Sequence, residues 1–97
     1  MNIIICDDRI DDRKNLSDLL SDYGEKKNYE FAITEYDSGE QLCEEQSALE
    51  ACQILFLDIN MQGMDGLKTA IRIKEKYPKL PVVLVTAYMN YALDGYK

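Results

Sequence analysis

Apolar residues along the chain fall into four short runs, and between the runs they recur at helical spacing. The first run, Asn2-Ile3-Ile4-Ile5-Cys6, has strand length. Leu16, Leu19, Leu20 and Tyr23 then share one helical face, which predicts a helix from about Asp11 to Tyr23 that Gly24 terminates. A polar loop from Glu25 to Asn28 leads into a second strand, Tyr29 to Tyr36, with imperfect alternation. Ser38, with Gln41 three residues on, forms a capping box for a short second helix whose thin apolar face is Leu42, Leu49 and Cys43. Residues 54–57 are a third strand. A third helix starts near Gly66, places Leu67, Ala70, Ile71 and Lys74 at helical spacing, and is stopped by Pro78. Pro81 to Val85 is a fourth strand rich in β-branched residues, and Tyr88 to Tyr96 reads as the start of a fourth helix. Alternation of this kind predicts an α/β domain in which a parallel sheet carries helices on both faces, joined by right-handed crossovers. The nearly all-apolar strands at 54–57 and 82–85 fit a sheet covered on both sides.

Two of the strands run straight into carboxylates. Ile54-Leu55-Phe56-Leu57 ends at Asp58, and the first strand ends at Asp7-Asp8. Open α/β sheets place their chemistry at the carboxyl ends of strands, so the two ends predict one shared acidic pocket and, through it, a bound divalent cation. Gly63 and Gly66 in the loop after Asp58 are expected to serve backbone geometry, and Asp65 to act as a turn or cap residue.

Composition narrows the chemistry. The 97 residues suffice for one domain and carry a net charge of −7, which disfavours binding to nucleic acid or to an anionic membrane. No apolar run approaches the roughly 20 residues that span a bilayer, and the amino terminus lacks the basic start of a signal peptide. Three cysteines at unrelated spacings (Cys6, Cys43, Cys52) point to reduced thiols and a cytoplasmic setting. The sequence has no histidine, which removes Ser-His-Asp and Cys-His catalysis, His-ligated zinc, and a phosphohistidine carried by the chain itself.

Asp7-Asp8 after the first strand, Asp58 after the third, Met61-x-Gly63-Met64-Asp65-Gly66 in the loop beyond, and Thr86-Ala87 after the fourth strand resemble the receiver domain of two-component response regulators. The resemblance covers residues 1–97 in order and implies a flavodoxin-like sheet of order 2-1-3-4-5. It implies that Asp58 is the phosphoacceptor, with a sensor histidine kinase as the phosphoryl donor. It further implies that Asp8 and Asp58 hold Mg²⁺ directly, that the backbone carbonyl of Asn60 is a third ligand, and that Asp7 acts through a water. Two carboxylates about 4 Å apart repel by on the order of 4 kcal/mol at an effective dielectric near 20, so a dianionic phosphoryl group needs the cation to approach. Thr86 would be the switch hydroxyl that bonds a phosphoryl oxygen, the N–H of Ala87 a second donor, and Tyr88 a screen against water. The competing readings are local: Asp58 as a loop cap, Asp7-Asp8 as helix initiators, Thr86 as a plain strand end.

Two departures from the family matter. Gln62 stands where many receivers have proline. The sequence ends at Lys97, before the final strand and helix that the family supplies and with them the lysine that contacts the phosphoryl group. The expectation is therefore an incomplete receiver whose fourth strand is an apolar edge, covered by a homodimer contact around that strand and the fourth helix. Residues 86–93 resemble receivers joined to LytTR-type DNA-binding domains, which implies a transcriptional regulator whose DNA-binding part lies beyond Lys97. The expected function is a phosphoacceptor switch that modifies only itself and turns over no external substrate. The alternatives are a phosphorylation-independent interaction module and, more remotely, an aspartyl phosphatase, which the Asn60 two places after Asp58 disfavours.

Overall fold

The computed structural model describes residues 1–61 and 65–85. The elements run β1 (Asn2–Cys6), α1 (Ile10–Lys27), β2 (Ala32–Tyr36), α2 (Gly39–Glu44), α3 (Gln46–Ala51), β3 (Ile54–Asp58), α4 (Gly66–Lys76) and β4 (Val82–Val85). All strand pairs are parallel, in the order β2-β1-β3-β4. Cys6 lies opposite Tyr36 on one side and Leu57 on the other. Alternation along β1 and β3 sends Ile4, Cys6, Leu55 and Leu57 to one face, where they pack with Leu42 of α2, Leu49 of α3 and Ile73 of α4. Ile3 and Ile5 point to the other face, and α1 packs over β1. The α/β sheet with helices on both faces is the architecture the sequence pattern predicts.

Three local expectations change. Gly24 does not end α1: the helix continues to Lys27, and Asn28 in the left-handed region (φ 59°) terminates it. Gly24 is buried inside the helix, where a Cβ would stand 3.0 Å from both the Phe31 ring and the Tyr29 carbonyl oxygen. The missing side chain thus lets the segment after the helix fold back over it, with the Tyr29 N–H donating to the Gly24 carbonyl at 2.8 Å. That fold-back is why residues 29–31 lie outside β2. On the expected face of α1, Leu16 and Leu20 are half-buried but Leu19 and Tyr23 are exposed.

The second helix is two helices. Glu45 (φ −92°, ψ 69°) interrupts the run, and each half still buries a leucine. Ser38 caps α2 as expected, its hydroxyl accepting from the Gln41 N–H at 3.1 Å. In α4 the buried residues are Gly66, Thr69 and Ile73, whereas Leu67 and Ile71 are exposed. Of the expected face, Ala70 packs against the core, and Leu67 and Ile71 turn away from it. Thr69 tolerates full burial because its hydroxyl donates to the Asp65 carbonyl at 2.8 Å.

Candidate functional site

Asp58 is the last residue of β3 and Asp7 the first after β1. Because Cys6 pairs with Leu57, the next residue on each strand emerges at the same sheet end, and Asp7, Asp8 and Asp58 converge there. One carboxylate oxygen from each lies within 4.8 Å of the others. The main chain fixes this group from several sides. The Asp7 N–H donates to the Tyr36 carbonyl at 3.1 Å, and the Ile59 N–H donates to the Val85 carbonyl at 2.9 Å. The Arg9 N–H donates to Asp7 Oδ1 at 2.9 Å, and the Asn60 N–H to Asp58 Oδ1 at 3.3 Å.

Asp7 and Asp58 are both only 7% exposed, so each pays for charge in lost hydration. Burial pushes the Asp7 carboxyl up to about 6, with the Asp58 charge adding to the rise and the Arg9 N–H opposing it. Burial likewise raises Asp58, against the pull of the Asn60 N–H and the Asp7 carboxyl. Two buried carboxyls that resist ionisation, grouped with a third, form an all-oxygen donor set of high negative charge. Such a set fits a hard divalent cation of the Mg²⁺ type, held by one or two carboxylates and retained waters. The floor is inert: Cys6 is fully buried against Met61, Sγ to Sδ 3.8 Å, and burial holds its thiol up at about 12.

The loop beyond Asp58 is seated by Asp65 and Gly66. Asp65 caps α4, its carboxylate accepting from the Lys68 N–H at 2.8 Å, as a cap residue should. The Gly66 N–H donates to the Ile59 carbonyl at 2.9 Å, in a position where a Cβ would overlap the Asp58 carbonyl oxygen. Gly66 thus serves backbone geometry, as expected. Above the carboxylates opens a cleft of about 760 Å³ lined by Asp8, Arg9, Asp37, Ser38, Asn60 and Met61. Asp37 and Ser38 were not anticipated there. Their only sequence signal is position, directly after the β2 strand end. Arg13 was also missed, and its Nη1 donates to the Asp7 carbonyl at 2.8 Å. Thr86, Ala87, Tyr88, Gln62, Gly63 and Met64 lie outside the described residues.

Comparison with known proteins agrees with this geometry. Residues 3–96 match the response regulator receiver domain, and the chain belongs to that family. It is 31% identical over its whole length to the positive alginate biosynthesis regulatory protein of Pseudomonas aeruginosa, and 30% identical to the sensory transduction protein LytT of Bacillus subtilis. The chain spans 38% of the length of each of these two relatives. Among solved structures, the response regulator protein TrrA of Thermotoga maritima, in complex with Mg²⁺–BeF, superposes with a TM-score of 0.77 at 28% identity. That match covers 96% of this chain and 75% of TrrA. The chain is thus a receiver domain of the two-component response regulators, with the CheY-like, flavodoxin-like fold.

Proposed function

We propose that the chain is a Mg²⁺-dependent phosphoacceptor switch in which Asp58 takes a phosphoryl group from the phosphohistidine of a sensor histidine kinase. The observation that carries this reading is the convergence of Asp7, Asp8 and Asp58 at one sheet end, with Asp58 on the last residue of β3. An Asp58 oxygen attacks phosphorus in line; a P–O bond forms, the P–N bond to the donor histidine breaks, and the imidazole leaves with its electron pair. The Asn60 N–H, bonded to Oδ1, holds the carboxylate in place for this attack. Bound Mg²⁺ supplies the charge neutralisation that lets the anionic phosphoryl group approach. Asp8 and Asp58 would hold it directly and Asp7 through a water, with the Asn60 carbonyl completing the set. The Mg²⁺–BeF complex of TrrA supports the same use of the pocket. Thr86 and Ala87 enter this reading from the family pattern as the hydroxyl and N–H that receive the phosphoryl oxygens.

The rest of the reading follows from the same relatives. The two relatives matched over the whole of this chain bear the names of a biosynthesis regulator and a sensory transduction protein, which supports a regulator. The likeness of residues 86–93 adds an output domain of LytTR type that would contact DNA in place of this acidic chain. Self-phosphorylation and self-dephosphorylation are then its only chemistry. A cytoplasmic setting fits a kinase partner, and no helix among the described residues is long and apolar enough to cross a membrane. Self-association through the β4 surface belongs to this proposal too, since Val83 is 41% exposed on the outermost described strand.

The test is intact-mass spectrometry after incubation with acetyl phosphate, with and without Mg²⁺, on the parent chain and on Asp58→Ala. A Mg²⁺-dependent gain of one phosphoryl group that disappears in the variant is the expected result. No gain in the parent chain would leave a phosphorylation-independent interaction module in its place.

A further inference from the structure

The guanidinium of Arg13 reaches from the second turn of α1 to the strand end that carries the acidic pair. Its Nη1 donates to the main-chain carbonyl of Asp7 at 2.8 Å, and its Nε donates to Glu35 Oε1 at 3.3 Å. The Arg13 side chain is 15% exposed, and Glu35 is 40% exposed, so the arginine is the sheltered partner of the ion pair. The carbonyl that Arg13 holds belongs to the peptide joining Asp7 to Asp8. On its other side Asp7 is tied through its N–H to the Tyr36 carbonyl at 3.1 Å. The peptide before Asp7 is therefore held by β2, and the peptide after it by α1 through Arg13, with Glu35 of β2 anchoring the arginine in turn.

We propose that Arg13 is a positioning residue for the acidic pocket: by locking the Asp7–Asp8 peptide it makes the Asp8 carboxylate face Asp7 and Asp58, and so sets the affinity for a divalent cation. This rests on the cation-binding reading above. A rigid planar fork suits the task, because it grips a carbonyl and a carboxylate at once in fixed directions. Without the grip, rotation of the one peptide between Asp7 and Asp8 swings the Asp8 side chain out of the group whose oxygens lie within 4.8 Å. Outer partners that orient ligands in this way typically account for about 10–100-fold in metal affinity.

Electrostatics alone demands the opposite result. Arg13 is a cation beside the pocket, and removing it should strengthen Mg²⁺ binding if charge were its whole contribution. The sign of the change therefore separates the two roles.

The experiment is Mg²⁺ titration by calorimetry on the parent chain and on Arg13→Met, Arg13→Lys, Glu35→Gln and Asp8→Asn, with thermal unfolding in EDTA for each. Exchange of the Asp8 amide proton is followed by NMR. Positioning predicts that Arg13→Met weakens Mg²⁺ about tenfold and speeds Asp8 amide exchange while the fold persists in EDTA. Arg13→Lys, which keeps the charge and loses the fork, should fall between parent and Arg13→Met, and Glu35→Gln should shift affinity the same way by less. Unchanged or tighter Mg²⁺ binding in a folded Arg13→Met overturns the proposal. If Arg13→Met does not fold, Arg13→Lys decides it: the charge is kept, so weaker Mg²⁺ binding supports positioning and unchanged binding overturns it. A parent chain that binds no Mg²⁺, or binds it unchanged after Asp8→Asn, removes the cation-binding reading itself, and the proposal with it.

Discussion

The backbone of Gly66 is packed against Asp58 with no space between them for a side chain. A Cβ there would overlap the Asp58 carbonyl oxygen and stand 2.6 Å from the Ile59 Cα. Both obstacles are main chain at the site itself, so neither can move aside without displacing Asp58. Gly66→Ala is expected to cost about 3 kcal/mol in urea unfolding, the upper part of the range for overpacking, and to abolish phosphoryl gain at Asp58. A fully stable, fully phosphorylated variant would contradict the contact.

Gly24 offers the contrasting case. Its nearest neighbours are the edge of the Phe31 ring, which can rotate, and the Tyr29 carbonyl oxygen, both at 3.0 Å rather than in overlap. Crowding by a new methyl works against the roughly 1 kcal/mol that alanine gains over glycine inside a helix. Gly24→Ala should change stability by less than about 1 kcal/mol. Asn28→Ala should instead cost about 1 kcal/mol, because alanine resists the left-handed backbone that closes α1, and Asn28→Gly should be close to neutral. Chemical denaturation of the three variants side by side checks the assignment of the helix end.

The raised Asp7 carboxyl makes stability depend on pH. Its folded value, about 6, lies above the ordinary 3.8, so the folded chain binds the proton more tightly than the unfolded one. Its contribution is most favourable below pH 3.8 and declines as pH rises through 6. Asp7→Asn removes the charge, and should stabilise the cation-free protein by about 1–3 kcal/mol at pH 7.5. The gain should shrink toward zero at pH 4. Urea titrations at the two pH values, in EDTA, give the comparison, and an equal gain at both would refute the assignment.

Mg²⁺ should offset the same cost. At about 100 times its Kd, a cation that binds only the folded chain adds about 2.7 kcal/mol of stability. The rise in Tm with added Mg²⁺ should vanish in Asp8→Ala, and in the parent it should weaken near pH 5, where Asp7 holds its proton. Differential scanning calorimetry across a Mg²⁺ series measures both effects.

What the sequence revealed, and what it hid, divides along physical lines. β1 and β3 are legible because buried strands need unbroken apolar runs, whereas β4 carries such a run while remaining half-buried to exposed, and the pocket is legible because its carboxylates directly follow the β1 and β3 runs. The Ser38 cap is legible because its partner, Gln41, is three residues away. The rotation of α4 is not, because Leu67 and Ile71 satisfy helical spacing as well as Thr69 and Ile73 do. The close seating of Gly66 on Asp58 belongs to the stripe, with Thr69 and Ile73, that turns inward. The end of α1 was hidden for a related reason: glycine commonly stops helices, but Gly24 lies inside α1 with Phe31 and Tyr29 packed over it, and Asn28 ends the helix. Arg13 reads as one more surface charge until the fold brings Glu35, 22 residues later, beside it.

The parallel register gives the acidic pocket a further property. Ile3 pairs with Ile54, so the two halves of the pocket are separated by about half of the sequence and meet only when β1 and β3 align. A slip of one residue would move Asp7 by about 3.3 Å along the strand and turn its side chain to the opposite face. Misaligned chains therefore have no pocket at all, rather than a weakened one. A ligand that requires Asp7, Asp8 and Asp58 together would act as a proofreader of the sheet, drawing the population toward the one alignment that can hold it.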